Sequence, residues 1–129
     1  MRRLLAWGPV LGWMGFIFWL SSQPDVPSLS TRWLDALVKN GGHIFLYAVL
    51  AALLDRAWRL DGLSPRERAP RVLLVTFLYA LSDEWHQSFV PGRDPSLLDL
   101  LFDLSGALLV LWAYSRLRRP NSGGMFSVL

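Results

Sequence analysis

Four apolar runs alternate with polar segments along the chain. The first run, residues 4–20, is uncharged and follows the basic start Met1-Arg2-Arg3. Three shorter uncharged runs follow, at residues 41–54, 72–82 and 104–115. A helix needs about 20 residues to cross a bilayer, so each short run spans it only if polar neighbours join the helix. We therefore predict an all-α integral membrane bundle of four transmembrane helices. They are expected to cover residues 4–20, 40–59, 72–89 and 97–115.

The first run also resembles a secretory signal peptide, because a basic start precedes it. It is long, however, and it leads into Ser21-Ser22-Gln23-Pro24-Asp25 with no small-x-small cleavage site. We therefore predict a retained helix. The three shorter runs also fit core helices of a soluble bundle, an alternative that the long first run argues against.

The connection between the first two runs has an apolar side of its own. Within residues 31–39, Trp33, Leu34 and Leu37 fall on one helical face. This pattern is typical of a short interfacial helix. Asn40-Gly41-Gly42 is expected to break or kink the chain before the second transmembrane helix begins.

Composition agrees with a membrane protein of one domain, residues 1–129. Hydrophobic residues make up 53% of the chain and charged residues 18%, against roughly 25% charged in soluble domains. Seven Trp occur, several of them near the ends of apolar runs, as in interfacial aromatic belts. The absence of Cys excludes disulfides and thiolate metal sites. The Gly-containing segment after Pro120 predicts a mobile tail over residues 120–129.

Charge segregation predicts the orientation of the bundle. Ten of the 13 Lys and Arg residues lie in the N-terminus, the second connection and the C-terminal tail. Seven of the ten acidic residues lie in the other two connections or beside them. Basic segments stay in the cytoplasm, which places both termini there. Because the net charge of +3 is segregated in this way, nucleic-acid binding is not expected.

Ionisable residues from three segments are expected at one depth, near the outer end. They are Lys39, His43 and Tyr47 at i, i+4 and i+8 on the second helix, Asp83, Glu84, His86 and Gln87 at the end of the third, Arg93 in the next connection, and Asp99 and Asp103 on the fourth. An unpaired carboxylate at mid-bilayer costs about 2.5–3.5 kcal/mol, so Asp103 should face the bundle, be paired or be protonated. Gly106 continues the stripe of Asp99 and Asp103 and is expected at a close helix approach.

Part of this pattern resembles the VanZ-like family of integral membrane proteins. The matching residues are Lys39-x3-His43-x3-Tyr47-x2-Leu50, then Asp83-Glu84-x-His86-Gln87-x-Phe89-x-Pro91-Gly92-Arg93, then Asp99 and Gly106. The resemblance spans about residues 39–108 and departs at Asp103, where many members carry Asn. It implies a four-helix protein of the bacterial cytoplasmic membrane. The family is named for a protein of glycopeptide-resistance clusters that is linked to teicoplanin resistance, and it implies no established reaction.

The clustered residues suggest acid–base chemistry on an amphiphile. In the first hypothesis the catalytic residues are His43, Asp83, Glu84 and His86. The ligand-binding residues are then Lys39, Tyr47, Gln87, Arg93, Asp99 and Asp103. The expected ligand is an anionic envelope lipid or a glycopeptide-like amphiphile at the outer leaflet. The alternatives are a non-enzymatic binder that uses the same pocket, a small proton-coupled carrier, and a purely structural network.

Several residues also have simpler interpretations. Ser96-x-x-Asp99 fits a capping box, in which Asp99 would bond the start of its own helix. Asp83 and His86, three residues apart, would form a structural ion pair. Asp55 is expected at a solvated helix end. No cofactor is expected, and Asp83-Glu84-x-His86 is no recognised metal-ligand signature, although the His and carboxylate groups leave a divalent metal open.

Overall fold

The computed structural model describes residues 1–24 and 31–118, which form four α-helices and no strand. The helices are α1 (Arg2–Ser21), α2 (Arg32–Leu60), α3 (Pro65–Gln87) and α4 (Leu97–Leu117). The all-α class and the four helices predicted from the sequence are confirmed. The tail for which mobility was predicted, residues 120–129, lies outside the described residues.

Successive helices run in opposite directions, so the bundle has two chemically different ends. At one end Gln87 of α3 donates a hydrogen bond to the Ser21 hydroxyl of α1, at 2.8 Å. We call this end, with the first turns of α2 and α4, the acidic end. At the other end Trp7 of α1 donates to Asp61, just after α2, at 3.0 Å. We call that end the basic end.

Local signals set the starts of α3 and α4. Ser64 and Glu67 form a capping box, and Pro65 occupies the first helical position, so α3 begins seven residues before the predicted span. Hydrogen bonds from the Ser64 hydroxyl and amide hold the pKa of Glu67 below its ordinary value. Ser96 caps α4, since its hydroxyl accepts the amide of Leu98 at 3.1 Å.

The predicted break before the second transmembrane helix does not occur. α2 runs without interruption through Asn40-Gly41-Gly42, so the separate interfacial helix predicted for residues 31–39 is wrong. A glycine inside a helix costs only about 1 kcal/mol. Contacts from both sides of the glycine pair to α4, made by Lys39 and His43, favour the continuous helix over a kink.

The surface of the bundle is apolar, and much of its interior is polar. α1, α2 and α4 are long and apolar enough to cross a membrane, which indicates a membrane protein. α3 is not apolar enough to meet that criterion, yet it also exposes large apolar side chains and buries polar ones. Its exposed side chains include Leu74, Leu78, Leu81 and Trp85, whereas its buried ones include Arg68, Thr76, Asp83, Glu84 and Gln87. A soluble bundle would have the reverse arrangement.

α2 and α4 approach most closely at Gly106. A Cβ atom added there would collide with the carbonyl oxygen of Ile44 and lie 3.0 Å from the amide nitrogen of Ala48. Only glycine leaves room for the two backbones at this distance. The predicted close approach at Gly106 is confirmed.

Asp55 does not lie at a solvated helix end, and that prediction is wrong. Its side chain is buried and binds Arg68 Nε of α3 at 2.8 Å and Arg118 Nη2 after α4 at 3.0 Å. α2 continues for more than a turn beyond Asp55, to Leu60, so this carboxylate faces its neighbouring helices instead of water.

Candidate functional site

Two helices present matched pairs of ionisable side chains at the acidic end. Lys39 and His43, one turn apart on α2, face Asp99 and Asp103, one turn apart on α4. Lys39 Nζ lies 3.3 Å from Asp99 Oδ2, and His43 Nδ1 lies 2.8 Å from Asp103 Oδ1. The i, i+4 spacing predicted on each helix therefore becomes a ladder between them.

Asp103 is the most deeply buried member of this ladder. Its side chain has no exposed surface, and its Oδ2 has no hydrogen-bond partner among the described residues. His43 is largely buried, and its Nε2 lies 4.0 Å from Asp99 Oδ2. The imidazole is thus fixed by Asp103 on one nitrogen and has its other nitrogen near a second carboxylate. This geometry suits a group that exchanges protons.

Only the Ser96 half of the capping box predicted between Ser96 and Asp99 is formed. Ser96 does cap α4 through its hydroxyl, but its amide donates to Glu84 Oε2 of α3 at 2.9 Å. Glu84 thereby takes the place that the box assigns to Asp99. Asp99 is consequently available to Lys39 and His43. Glu84 Oε1 is buried and has no hydrogen-bond partner in the part of the chain that the structure describes.

The other predicted site residues of α2 and α3 lie beside this ladder. The Tyr47 hydroxyl, almost fully buried, donates to Asp83 Oδ2 at 3.3 Å. Gln87 reaches Ser21 of α1 instead of the ladder. Ser21 is a site residue that the sequence analysis missed, because a serine at the end of an apolar run usually marks only a helix terminus.

The ion pair predicted between Asp83 and His86 is not formed among the described residues. The imidazole ring of His86 stacks on Phe18 of α1, with ring centroids 4.3 Å apart and planes inclined by 22°. Asp83 instead faces Tyr47 of α2. Residues three apart lie on neighbouring parts of one helix face, but packing against α1 and α2 decides which partner each side chain meets.

A small cavity lies inside this cluster. Its volume is about 60 Å³, and its polar lining comes from Ser21, His43, Tyr47, Asp83, Gln87 and Arg93. A cavity of this volume is large enough to hold water. It can admit water or a small polar group but not a whole lipid headgroup. A larger ligand would have to bind at its edge.

Arg93 has a structural role that the sequence did not predict. Its Nε donates to the carbonyl oxygen of Gln23 at 2.9 Å, and its Nη2 donates to that of Leu20 at 3.1 Å. Carbonyl groups at a helix C-terminus have no partner within their own helix, and a cation satisfies them well. Arg93 therefore fixes the end of α1 against the connection between α3 and α4.

Replacing Arg93 by methionine is expected to loosen the end of α1, because hydrogen bonds to charged groups contribute about 1.5–3 kcal/mol each. Amide hydrogen exchange should become faster in residues 18–24 and stay unchanged near the start of α1. Arg32→Met removes an exposed arginine at the same end and serves as the control. Unchanged exchange in Arg93→Met would contradict this role.

No group of three or more His, Asp or Glu side chains within residues 1–24 and 31–118 has an arrangement that could hold a metal ion. The sequence profile of the VanZ/LLP1 family matches residues 6–118, nearly the whole described chain. No curated protein and no solved structure matches it.

Proposed function

The chain belongs to the VanZ/LLP1 family, and we propose that it is a four-pass protein of the bacterial cytoplasmic membrane that acts on an anionic amphiphile at the outer leaflet. The amphiphile is an envelope lipid or an acylated glycopeptide of the teicoplanin type. The observation that carries the proposal is the buried pair of His43 and Asp103, 2.8 Å apart, beside a cavity of about 60 Å³.

The arrangement of α3 supports four crossings. Its outward side is apolar along the middle of the helix, at Leu74, Leu78 and Leu81, and the acids Asp83 and Glu84 point into the bundle. Lipid accepts such a helix, because its polar groups are partnered by neighbouring helices. The basic end then lies in the cytoplasm and the acidic end outside, following the distribution of Lys and Arg.

His43 is proposed as the acid–base group. When Asp103 accepts the Nδ1 hydrogen, Nε2 is left as the basic nitrogen, and that assignment follows from the hydrogen-bond network. A water molecule in the adjoining cavity is a reactant that such a base can activate. The orienting role falls to Asp103, which holds the imidazole in one tautomer.

Lys39 is proposed as the residue that meets the anionic group of the ligand. Its side chain is 45% exposed, whereas the carboxylate of Asp99 beside it is buried. Leu37 and Val38 next to it are exposed apolar side chains, which suit an acyl chain. Lys39 is preferred to Arg93 for this role, because Arg93 already donates hydrogen bonds to carbonyl oxygens at the end of α1.

We expect the wild-type protein, expressed in a teicoplanin-sensitive Gram-positive host, to raise the minimum inhibitory concentration of teicoplanin. His43→Gln and Asp103→Ala should each return it to the level of the empty vector, because the first removes the imidazole and the second removes the side chain that orients it. Asp61→Asn, an exposed acid at the basic end, is the matched control and should keep the effect. A glycopeptide without an acyl chain should be affected less. If His43→Gln gives the same resistance as the wild type at an equal level of expressed protein, the proposal is contradicted.

A binding measurement separates an enzyme from a binder. Purified protein in nanodiscs is titrated with teicoplanin, and wild type is compared with His43→Gln. If His43 does chemistry, the variant keeps its affinity while the resistance is lost. Loss of both together would instead favour non-enzymatic capture of the amphiphile.

A further inference from the structure

A second and larger cavity lies at the basic end, far from the His43 site. Its volume is about 490 Å³, which is within the usual range for ligand pockets. It opens between α3 and α4 and is lined by Asp55, Pro65, Arg66, Ala69, Leu111, Tyr114, Ser115 and Arg118. The chemistry proposed above makes no use of it.

The polar part of this cavity has an excess of positive charge. Its one acid, Asp55, already has both oxygens bound, by Arg68 Nε at 2.8 Å and by Arg118 Nη2 at 3.0 Å. Arg66 adds an exposed guanidinium group to the lining. The cavity lining thus carries two arginines, Arg66 and Arg118, against one carboxylate that is already paired, and the surplus positive charge attracts an anion.

Arg118 is held in place at the rim of the cavity. Its guanidinium carbon lies 5.2 Å from the centroid of the Tyr114 ring, in addition to its bond with Asp55. The side chain remains about one third exposed. A guanidinium that is fixed in this way loses little further freedom when it binds a phosphate.

The rest of the cavity is apolar and continues onto the lipid-facing surface. Ala69 and Leu111 form walls on α3 and α4. Leu108, three residues before Leu111 on the same side of α4, is more than half exposed. A ligand that fits all of these features has an anionic head and an apolar tail.

We propose that this cavity binds the phosphate group of an anionic glycerophospholipid of the cytoplasmic leaflet, with an acyl chain along Leu111 and Leu108. Basic pockets between transmembrane helices on the cytoplasmic side recognise such headgroups through guanidinium contacts. The site is independent of the His43 cluster, and only its assignment to the cytoplasmic leaflet rests on the orientation proposed above.

The test titrates phosphatidylglycerol into the detergent-purified full chain and measures the rise in its thermal stability. The titration gives an apparent Kd. The same titration is carried out separately with phosphatidylcholine and with inorganic phosphate. Phosphatidylglycerol is expected to stabilise the wild type, and Arg66→Gln should weaken its apparent Kd about fivefold, since one basic residue contributes about that factor. Arg66 is the decisive position because Arg118→Gln would also unpair Asp55. Arg71→Gln is the matched control: it removes an exposed arginine of α3 outside the cavity and should keep the wild-type Kd.

Each opposite result overturns the proposal. Equal stabilisation by phosphatidylcholine would show that the net charge of the headgroup does not contribute to binding. Equal stabilisation by inorganic phosphate would make this a site for a free anion. An unchanged Kd in Arg66→Gln, or an equal loss in Arg71→Gln, would show that the cavity itself does not bind the lipid.

Discussion

Alanine at Gly106 is expected to destabilise the bundle by about 3 kcal/mol, because one methyl group there forces α2 and α4 apart. The added atom meets backbone, at the Ile44 carbonyl oxygen and the Ala48 amide, and backbone atoms cannot rotate away as a side chain can. The same crossing positions His43 one residue before Ile44 and Asp103 one turn before Gly106. Gly106→Ala should therefore also disturb the His43–Asp103 contact. Equilibrium unfolding in a detergent or bicelle system measures the loss.

Gly12 provides the matched control for this substitution. It lies within α1, and a Cβ atom there would have no neighbour within 4 Å. Gly12→Ala should leave the free energy of unfolding unchanged or raise it slightly, since alanine favours the helix. Equal stabilities of the two variants would show that helix propensity, and not the close crossing, governs Gly106.

Removing Arg68 is expected to have an effect of similar or larger size, about 3–5 kcal/mol. Arg68 and Asp55 are both 3% exposed, and Arg68 Nε binds Asp55 Oδ1 at 2.8 Å. In Arg68→Met the Asp55 carboxylate stays buried and keeps only Arg118, which is partly exposed. Loss of one partner of a buried pair is costly because the other charge remains without compensation. Denaturant titration at neutral pH measures the difference from wild type.

The double variant Asp55→Leu, Arg68→Met tests this explanation. With both charges removed and apolar side chains in their place, most of the lost stability should return. If the double variant is as unstable as Arg68→Met alone, the cost arises from lost packing and not from an unpaired charge. The double variant also leaves the predicted acid–base residues untouched, so any teicoplanin phenotype should persist in it.

The four long helices, the alignment of the polar side chains and the close approach at Gly106 could be predicted from the sequence, whereas the separate interfacial helix does not exist. These features follow from short-range regularities: apolar runs of limited length, and i, i+4 spacing that aligns Lys39 with His43 and Asp99 with Asp103. Such regularities are properties of a single segment, and neighbouring helices do not change them. α3 is not apolar enough to count as a membrane span, because its buried acids and arginine lower its mean hydropathy.

The partner of each polar group follows from the packed bundle and not from the sequence. Asp99 pairs with Lys39 and not with the start of its own helix, Glu84 caps α4 in its place, and His86 turns to Phe18. α2 continues through its glycine pair, and Asp55 is buried. The physical reason is that partner choice depends on the rotation of each helix about its axis and on its distance from the others. Packing of the whole bundle sets both quantities, and no local pattern in the chain encodes them.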